Sequence, residues 1–367
     1  MPMAARVNPF REPGMQLPAD RGQARAFHRT LPEYAPTPLH SCPGLARSLG
    51  LGQLVIKDES QRFGLNAFKG LGAVWALQRI RATGSGAMTV SAATEGNHGR
   101  AVAWAARRLG LPAVIFIPAH AAAARVERLR EEGARVVLVD GSYDQAVQRC
   151  AEVSAAKGWQ VISDTGYEGY LEIPGWIAEG YSTLFAEAAE QHAAAGLAAP
   201  DLVLVQAGVG ALLQAAVTHF RGGAIAPILV AVEPVSAAAH FASAGSPTGE
   251  PTGAPGAQDS IMAGLNCGEV SRSAWPVVRR GVDLFVTLED RYTETAMRRL
   301  AEPAPGDPRI VAGETGAAGL GGLLALLEAP ELAGAREDLQ LGPARRVLLL
   351  NTEGATNPLA YARITNR

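Results

Sequence analysis

The sequence predicts an α/β fold of parallel-type sheets with helices on both faces. Two observations carry this. Short aliphatic, β-branched runs alternate with longer helical patterns along most of the chain, and strands separated by helices of that length run parallel. Polar, glycine-rich segments follow several of those strands, where an open α/β sheet holds its ligands. Of the 367 residues, 48% are hydrophobic and 19% charged, which suits a large buried core; the length alone suggests about two domains.

In order, Leu-Val-Ile-Lys at 54–57 reads as a strand and 70–81 as a helix. Met-Thr-Val at 88–90 is a strand leading to a turn, then a helix over 98–109. The strand 114–117 precedes a helix over 121–132, the strand 135–139 a helix over 143–156, and the strand 160–162 a long helix over 174–195. The strand 202–205 is followed by a helix over 211–220. The strand 228–232 is followed by a helix beyond Glu233-Pro234. Helices over 293–300 and 316–327 and a strand at 347–350 complete the pattern. The Gly/Pro/Thr-rich run 245–256 is a mobile surface loop, and residues 1–30 form a loosely attached arm.

The formal net charge of -2 without a basic stripe argues against nucleic acid as a partner. The start lacks the apolar run of a signal peptide, and no later run approaches membrane-spanning length. Cys42, Cys150 and Cys267 give neither a disulfide framework nor paired metal-ligand spacing, and read as reduced thiols of a cytosolic protein.

Five segments carry chemistry. Lys69, in the segment from Glu59 to Gly70, lies after a strand and before a helix, where desolvation makes an amine available for a Schiff base. An apolar-flanked lysine also reads as a snorkelling surface residue. The turn from Ser91 to Gly99 brings small residues to a helix start, so Thr94 and its neighbouring amides suit a carboxylate and Asn97 a ring hydroxyl; a plain N-capped turn fits as well. Gln206-Ala207-Gly208-Val209-Gly210-Ala211 reads as a phosphate cradle of backbone amides, or as a tight turn. A dinucleotide site competes, with Glu233 as its ribose ligand, although Leu213 stands where a third glycine belongs. The loop from Asn351 to Asn357 offers Asn351 or Thr352 to a pyridine nitrogen, or is a loop with no ligand. Asp164 follows a strand and suits a cationic amine, or else caps the helix before Pro174.

The order of these segments resembles the fold-type II pyridoxal-phosphate enzymes, and among them the diaminopropionate ammonia-lyases. The resemblance runs from about Pro36 to Ala360. It rests on Arg62 to Lys69, Gly96 to Arg100 with Ala103-Trp104, Asp164-Thr165 with Glu168 to Tyr170, Ile261 to Leu265 with Cys267 to Glu269, and Thr352 to Gly354. It implies two open twisted sheets with the active site in the cleft between two domains. The smaller domain would span 86–170, and 1–85 with 171–367 would form the larger. It implies pyridoxal 5′-phosphate on Lys69, α,β-elimination from an amino acid substrate, and a homodimer. Gly208, Val209, Gly210 and Ala211 would hold the phosphate, Asn97 the 3′-oxygen, and Asn351 or Thr352 the ring nitrogen. Thr94, Asp164 and Tyr167 would hold the substrate. Lys69, Glu95 and Asp164 would be catalytic, with Glu95 in place of the family's aspartate as base on the second face of the cofactor. A serine, threonine or hydroxyaspartate dehydratase of the same fold, and a non-catalytic cofactor binder, are the competing readings.

Overall fold

Aliphatic runs form most strands of two sheets, and the central strands bury both faces. The computed structural model describes residues 2–84, 88–94 and 96–366. In chain order the strands are β1 (Ala5–Val7), β2 (Leu39–Ser41), β3 (Gln53–Asp58), β4 (Val90–Ala93), β5 (Ala113–Pro118), β6 (Arg135–Val139), β7 (Gln160–Val161), β8 (Leu202–Gln206), β9 (Ile228–Pro234), β10 (Leu284–Leu288) and β11 (Arg346–Asn351). A seven-stranded sheet has the order β1-β10-β9-β8-β11-β3-β2, and a four-stranded sheet the order β6-β5-β4-β7. Among the strands of the described residues, β1 and β2, both at an edge, pair antiparallel and the others pair parallel. Every residue of β8 and β10 is buried, the unbroken apolar pattern of a sheet covered on both faces.

The amino-terminal arm is not loose. Ala5–Val7 adds to the seven-stranded sheet in register with Leu284, Phe285 and Val286, and Met3 and His28 are buried. His28 Nδ1 meets Thr183 Oγ1 at 2.8 Å and Nε2 meets the Leu71 carbonyl at 3.0 Å, so the short helix Gln23–His28 is anchored from inside. A short strand and a two-turn helix leave too little periodicity to read. The long helix begins at Glu172 rather than 174, because Pro174 sits in its first turn, where no intrahelical N–H is needed. β4 starts at Val90, so Met88 and Thr89 precede it. The run 245–256 is irregular and mostly exposed. Gly86, the expected start of the smaller domain, lies outside the described residues. Among the described residues no single helix is long and apolar enough to cross a membrane.

Candidate active site

Because nearly all strands are parallel, the loops at their carboxyl ends gather on one side, and the polar segments meet there. The segment after β3 is held in two ways. Arg62, 1% exposed, donates to Glu59 and Glu187, while Lys57 Nζ donates to Glu187 at 2.7 Å and the Thr37 carbonyl at 2.6 Å. Two cations and two anions thus neutralise each other inside the protein; removing one partner would leave a buried charge, typically about 3–5 kcal/mol. The segment is also zipped to the loop after β11: Phe68 N donates to Thr352 O at 3.2 Å and Gly354 N to Asn66 O at 3.0 Å. Asn66 takes a positive φ of 55°, which turns the chain so that Lys69 caps the helix Gly70–Ala82.

Lys69 Nζ lies 2.6 Å from Asp164 Oδ2, bridging the loops after β3 and β7. Burial disfavours the charge on each, but the opposite charge wins. Asp164, with help from Tyr181's phenol, holds Lys69 above the usual lysine range, and Lys69 and His98 hold the Asp164 carboxyl well below the usual carboxylate range. His98 Nε2–H donates to the Ile162 carbonyl at 3.1 Å, which turns Nδ1 toward Asp164 Oδ2 at 3.8 Å; burial lowers the affinity of this imidazole for a proton.

The loop after β8 ends at Gly210, the N-cap of the helix Ala211–Gly222, with a φ of +106° that an L side chain rarely adopts. The Ala207 amide is spent on Val232 O, but among the described residues the amides of Gly208, Val209, Gly210 and Ala211 have no acceptor. Four free amides at a helix start form an anion cradle. A side chain at Gly208 would lie 2.8 Å from Gly264 O and 3.2 Å from Cys267 Sγ. The Cys267 thiol, pushed up to about 12 by burial, also feels Asp164 and Lys69, so the cradle and the ion pair border one site. Glu233 is not free for a ribose: both its oxygens are occupied by His240 and Phe241.

At the end of β11, Asn351 is wholly buried; its Nδ2 donates to Asp58 Oδ1 at 2.7 Å and Val311 O at 3.1 Å. It ties two strand ends together. Thr352 Oγ1 accepts from Gln206 Nε2 at 3.1 Å, at the end of β8 that opens into the cradle. Asn97 Nδ2 donates to Glu353, a buried carboxyl that also accepts from Thr315 N at 3.1 Å and whose pKa burial raises.

The family profile described as "Pyridoxal-phosphate dependent enzyme" matches residues 30–350. The chain belongs to that family. Among curated members, the diaminopropionate ammonia-lyase of Salmonella typhimurium is 39% identical over 92% of this chain and 90% of its own length. Among solved structures, Escherichia coli diaminopropionate ammonia lyase in complex with an aminoacrylate-PLP azomethine reaction intermediate has a TM-score of 0.89 at 35% identity, covering 100% of this chain and 97% of that one. The same enzyme in complex with D-serine gives 0.91 at 34%, covering 99% and 97%.

The residues of this pyridoxal-phosphate-family site fit the cofactor: a lysine amine inside the site, four amides without acceptors among the described residues, and a hydroxyl at the strand end. Of the expected residues, Lys69 and Asp164 are brought into contact. Thr94 is half-buried at the end of β4, where its Oγ1 accepts from Gly96 N at 3.4 Å. Tyr167, expected on the substrate, is 53% exposed; its ring stacks on Tyr170 at 5.0 Å, because the tight Tyr167–Tyr170 bridge turns it outward. Glu95 lies outside the described residues. The sequence motifs assign no role to His98, Tyr181, Cys267 or Glu353. His98, Cys267 and Glu353 lie inside segments that carry the family resemblance, whereas Tyr181 sits in a helix with no motif. Burial raises the Tyr181 phenol, whose hydroxyl has no partner among the described residues.

Proposed function

We propose that this chain is a carbon–nitrogen lyase that converts one 2,3-diaminopropionate and one water to pyruvate and two ammonia. The observation that carries the reading is the Lys69–Asp164 contact. Asp164 is a carboxylate held ionised within 2.6 Å of a primary ammonium. In that contact Lys69 Nζ stands in for the β-amine of a diamino acid. A carboxylate there binds that amine and keeps it protonated, as a leaving ammonia requires. A serine or threonine hydroxyl gains far less from it.

Bound pyridoxal phosphate supplies the electron sink for charge left at the substrate Cα. Lys69 holds the cofactor and, once its amine is free, moves a proton at Cα from one face. Glu95 is the base for the other face, one methylene longer than the family's aspartate. Thr94 and the neighbouring amides orient the α-carboxylate, and Gly208 to Ala211 hold the phosphate. Asn97, oriented by Glu353, supports the cofactor's 3′-oxygen. Thr352 faces the ring nitrogen, since Asn351's amide is committed to Asp58. His98 buttresses Asp164, and Tyr167 stands at the rim. We place the enzyme in the cytoplasm as a homodimer, with the smaller domain over 86–170.

The test is a substrate panel. Purified protein with pyridoxal phosphate should release pyruvate faster from diaminopropionate than from serine, and 2-oxobutyrate from threonine more slowly still. Preference for a hydroxy amino acid would instead identify a dehydratase of the same fold.

A further inference from the structure

Glu233, at the end of β9, has no part in the chemistry above, yet it is wholly buried and fully engaged. Its Oε1 accepts from the backbone N of His240 at 2.8 Å and from His240 Nδ1 at 3.0 Å, and its Oε2 from Phe241 N at 2.8 Å. A ring nitrogen facing a carboxylate carries the hydrogen, so Nδ1 is the donor and the ring is fixed in orientation. That leaves Nε2 on the far side of a ring that is 0% exposed, and Nε2 has no partner among the described residues. Buried polar nitrogens are almost always paired, and an orphan asks for an explanation.

Nε2 abuts the cradle. A Cβ on Gly210 would lie 2.6 Å from it, and Ala274 Cβ closes the same spot at 3.3 Å. Trp275 packs beside the imidazole at 5.9 Å between ring centroids, excluding water from that side. The same Gly210 ends the run of four amides without acceptors. An orphaned, carboxylate-oriented imidazole nitrogen and a nest of free amides therefore meet at one residue.

From this we propose that His240 is a further positioning residue for the phosphate group of the cofactor. Its Nε2 donates to the phosphate from the Gly210 side of the cradle, and Glu233 both orients the ring and offsets the charge it gains. The proposal rests on the pyridoxal-phosphate reading of the cradle. A phosphate monoester is a strong acceptor, and a charge-assisted hydrogen bond from a water-excluded imidazole adds both affinity and a fixed register for the cofactor.

The experiment compares apoprotein of the wild type, His240→Phe and His240→Gln. Each is titrated with pyridoxal phosphate, with pyridoxal, which has the aldehyde but no phosphate, and with inorganic phosphate. Binding is read by calorimetry and by the visible absorbance of the lysine-bound cofactor. His240→Phe should weaken pyridoxal phosphate and inorganic phosphate by about tenfold or more, the weight of one charge-assisted hydrogen bond, and leave pyridoxal unchanged. His240→Gln, which keeps a donor, should recover much of the loss, and the phosphorus NMR resonance of bound cofactor should move in both variants. If His240→Phe does not fold, His240→Asn, polar but too short to reach, gives the same contrast. Equal loss of pyridoxal and pyridoxal phosphate would mark a merely structural role and overturn the proposal, as would unchanged phosphate affinity. A wild type that binds no pyridoxal phosphate would overturn the reading of the cradle itself.

Discussion

Lys69 Nζ and Asp164 Oδ2, 95 residues apart in sequence, meet at 2.6 Å across the two sheets. Under the proposed function, the pair joins the residue that would anchor the cofactor to the residue that would select the substrate, and most of the testable consequences follow from it.

Asp164→Asn keeps the shape and removes the charge. It should lower kcat/KM for diaminopropionate by about a hundredfold or more, the usual weight of a positioned acid–base group, and lower the rate on serine much less. Steady-state kinetics on both substrates reads the difference. Equal losses on the two would sever Asp164 from amine recognition.

Capture of the cofactor should depend on pH. Lys69 is held above the ordinary value of 10.5, so its free amine is scarce near neutrality, and the capture rate should rise about tenfold per pH unit through that range. In Asp164→Asn, burial lowers the Lys69 pKa against only the smaller influence of Tyr181 and Cys267, so capture at neutral pH should be faster and its pH dependence flatter. Stopped-flow absorbance gives both slopes. The pair's effect on apoprotein stability has the opposing signs of its members. Asp164 is depressed and Lys69 raised, so the stabilisation is complete between the ordinary values of 3.8 and 10.5. It is lost as pH falls through the Asp164 value or rises through the Lys69 value.

Glu95→Asp shortens the proposed second-face carboxylate by one methylene. It should change the rate on D-diaminopropionate much more than on the L-enantiomer, with Glu95→Gln lowering the D-rate further. Parallel changes on both enantiomers would remove Glu95 from the second face.

Gly210→Ala combines a φ of +106° with a Cβ placed 2.6 Å from a fully buried imidazole. The strain alone is about 1–3 kcal/mol, and relief requires the cradle to open. Calorimetry should show weakened pyridoxal-phosphate binding, with the substituted apoprotein still folded.

The parallel architecture was legible because buried strands read as unbroken aliphatic runs and most helices were long. Lys69, Asp164 and the cradle were legible because each follows such a strand. The features not legible in the sequence depend on distant partners. Ala5–Val7 is a strand only because Leu284–Val286 offers it an edge. Asn351 and Thr352 are adjacent in sequence, and their different partners, Asp58 for Asn351 and Gln206 for Thr352, appear only in the fold. The Glu233–His240 pair spans seven residues, yet Glu233 alone suggested a ribose ligand. Tyr167 carried the right chemistry, but a local turn aims it outward.

The most direct test of the central claim is pyruvate release from D- and L-2,3-diaminopropionate by wild type and Lys69→Ala, each saturated with pyridoxal phosphate. Wild type should release pyruvate with two equivalents of ammonia. Lys69→Ala should lose that turnover and the visible absorbance of lysine-bound cofactor together. No pyruvate from either enantiomer with the wild type, or undiminished turnover in Lys69→Ala, would contradict the account.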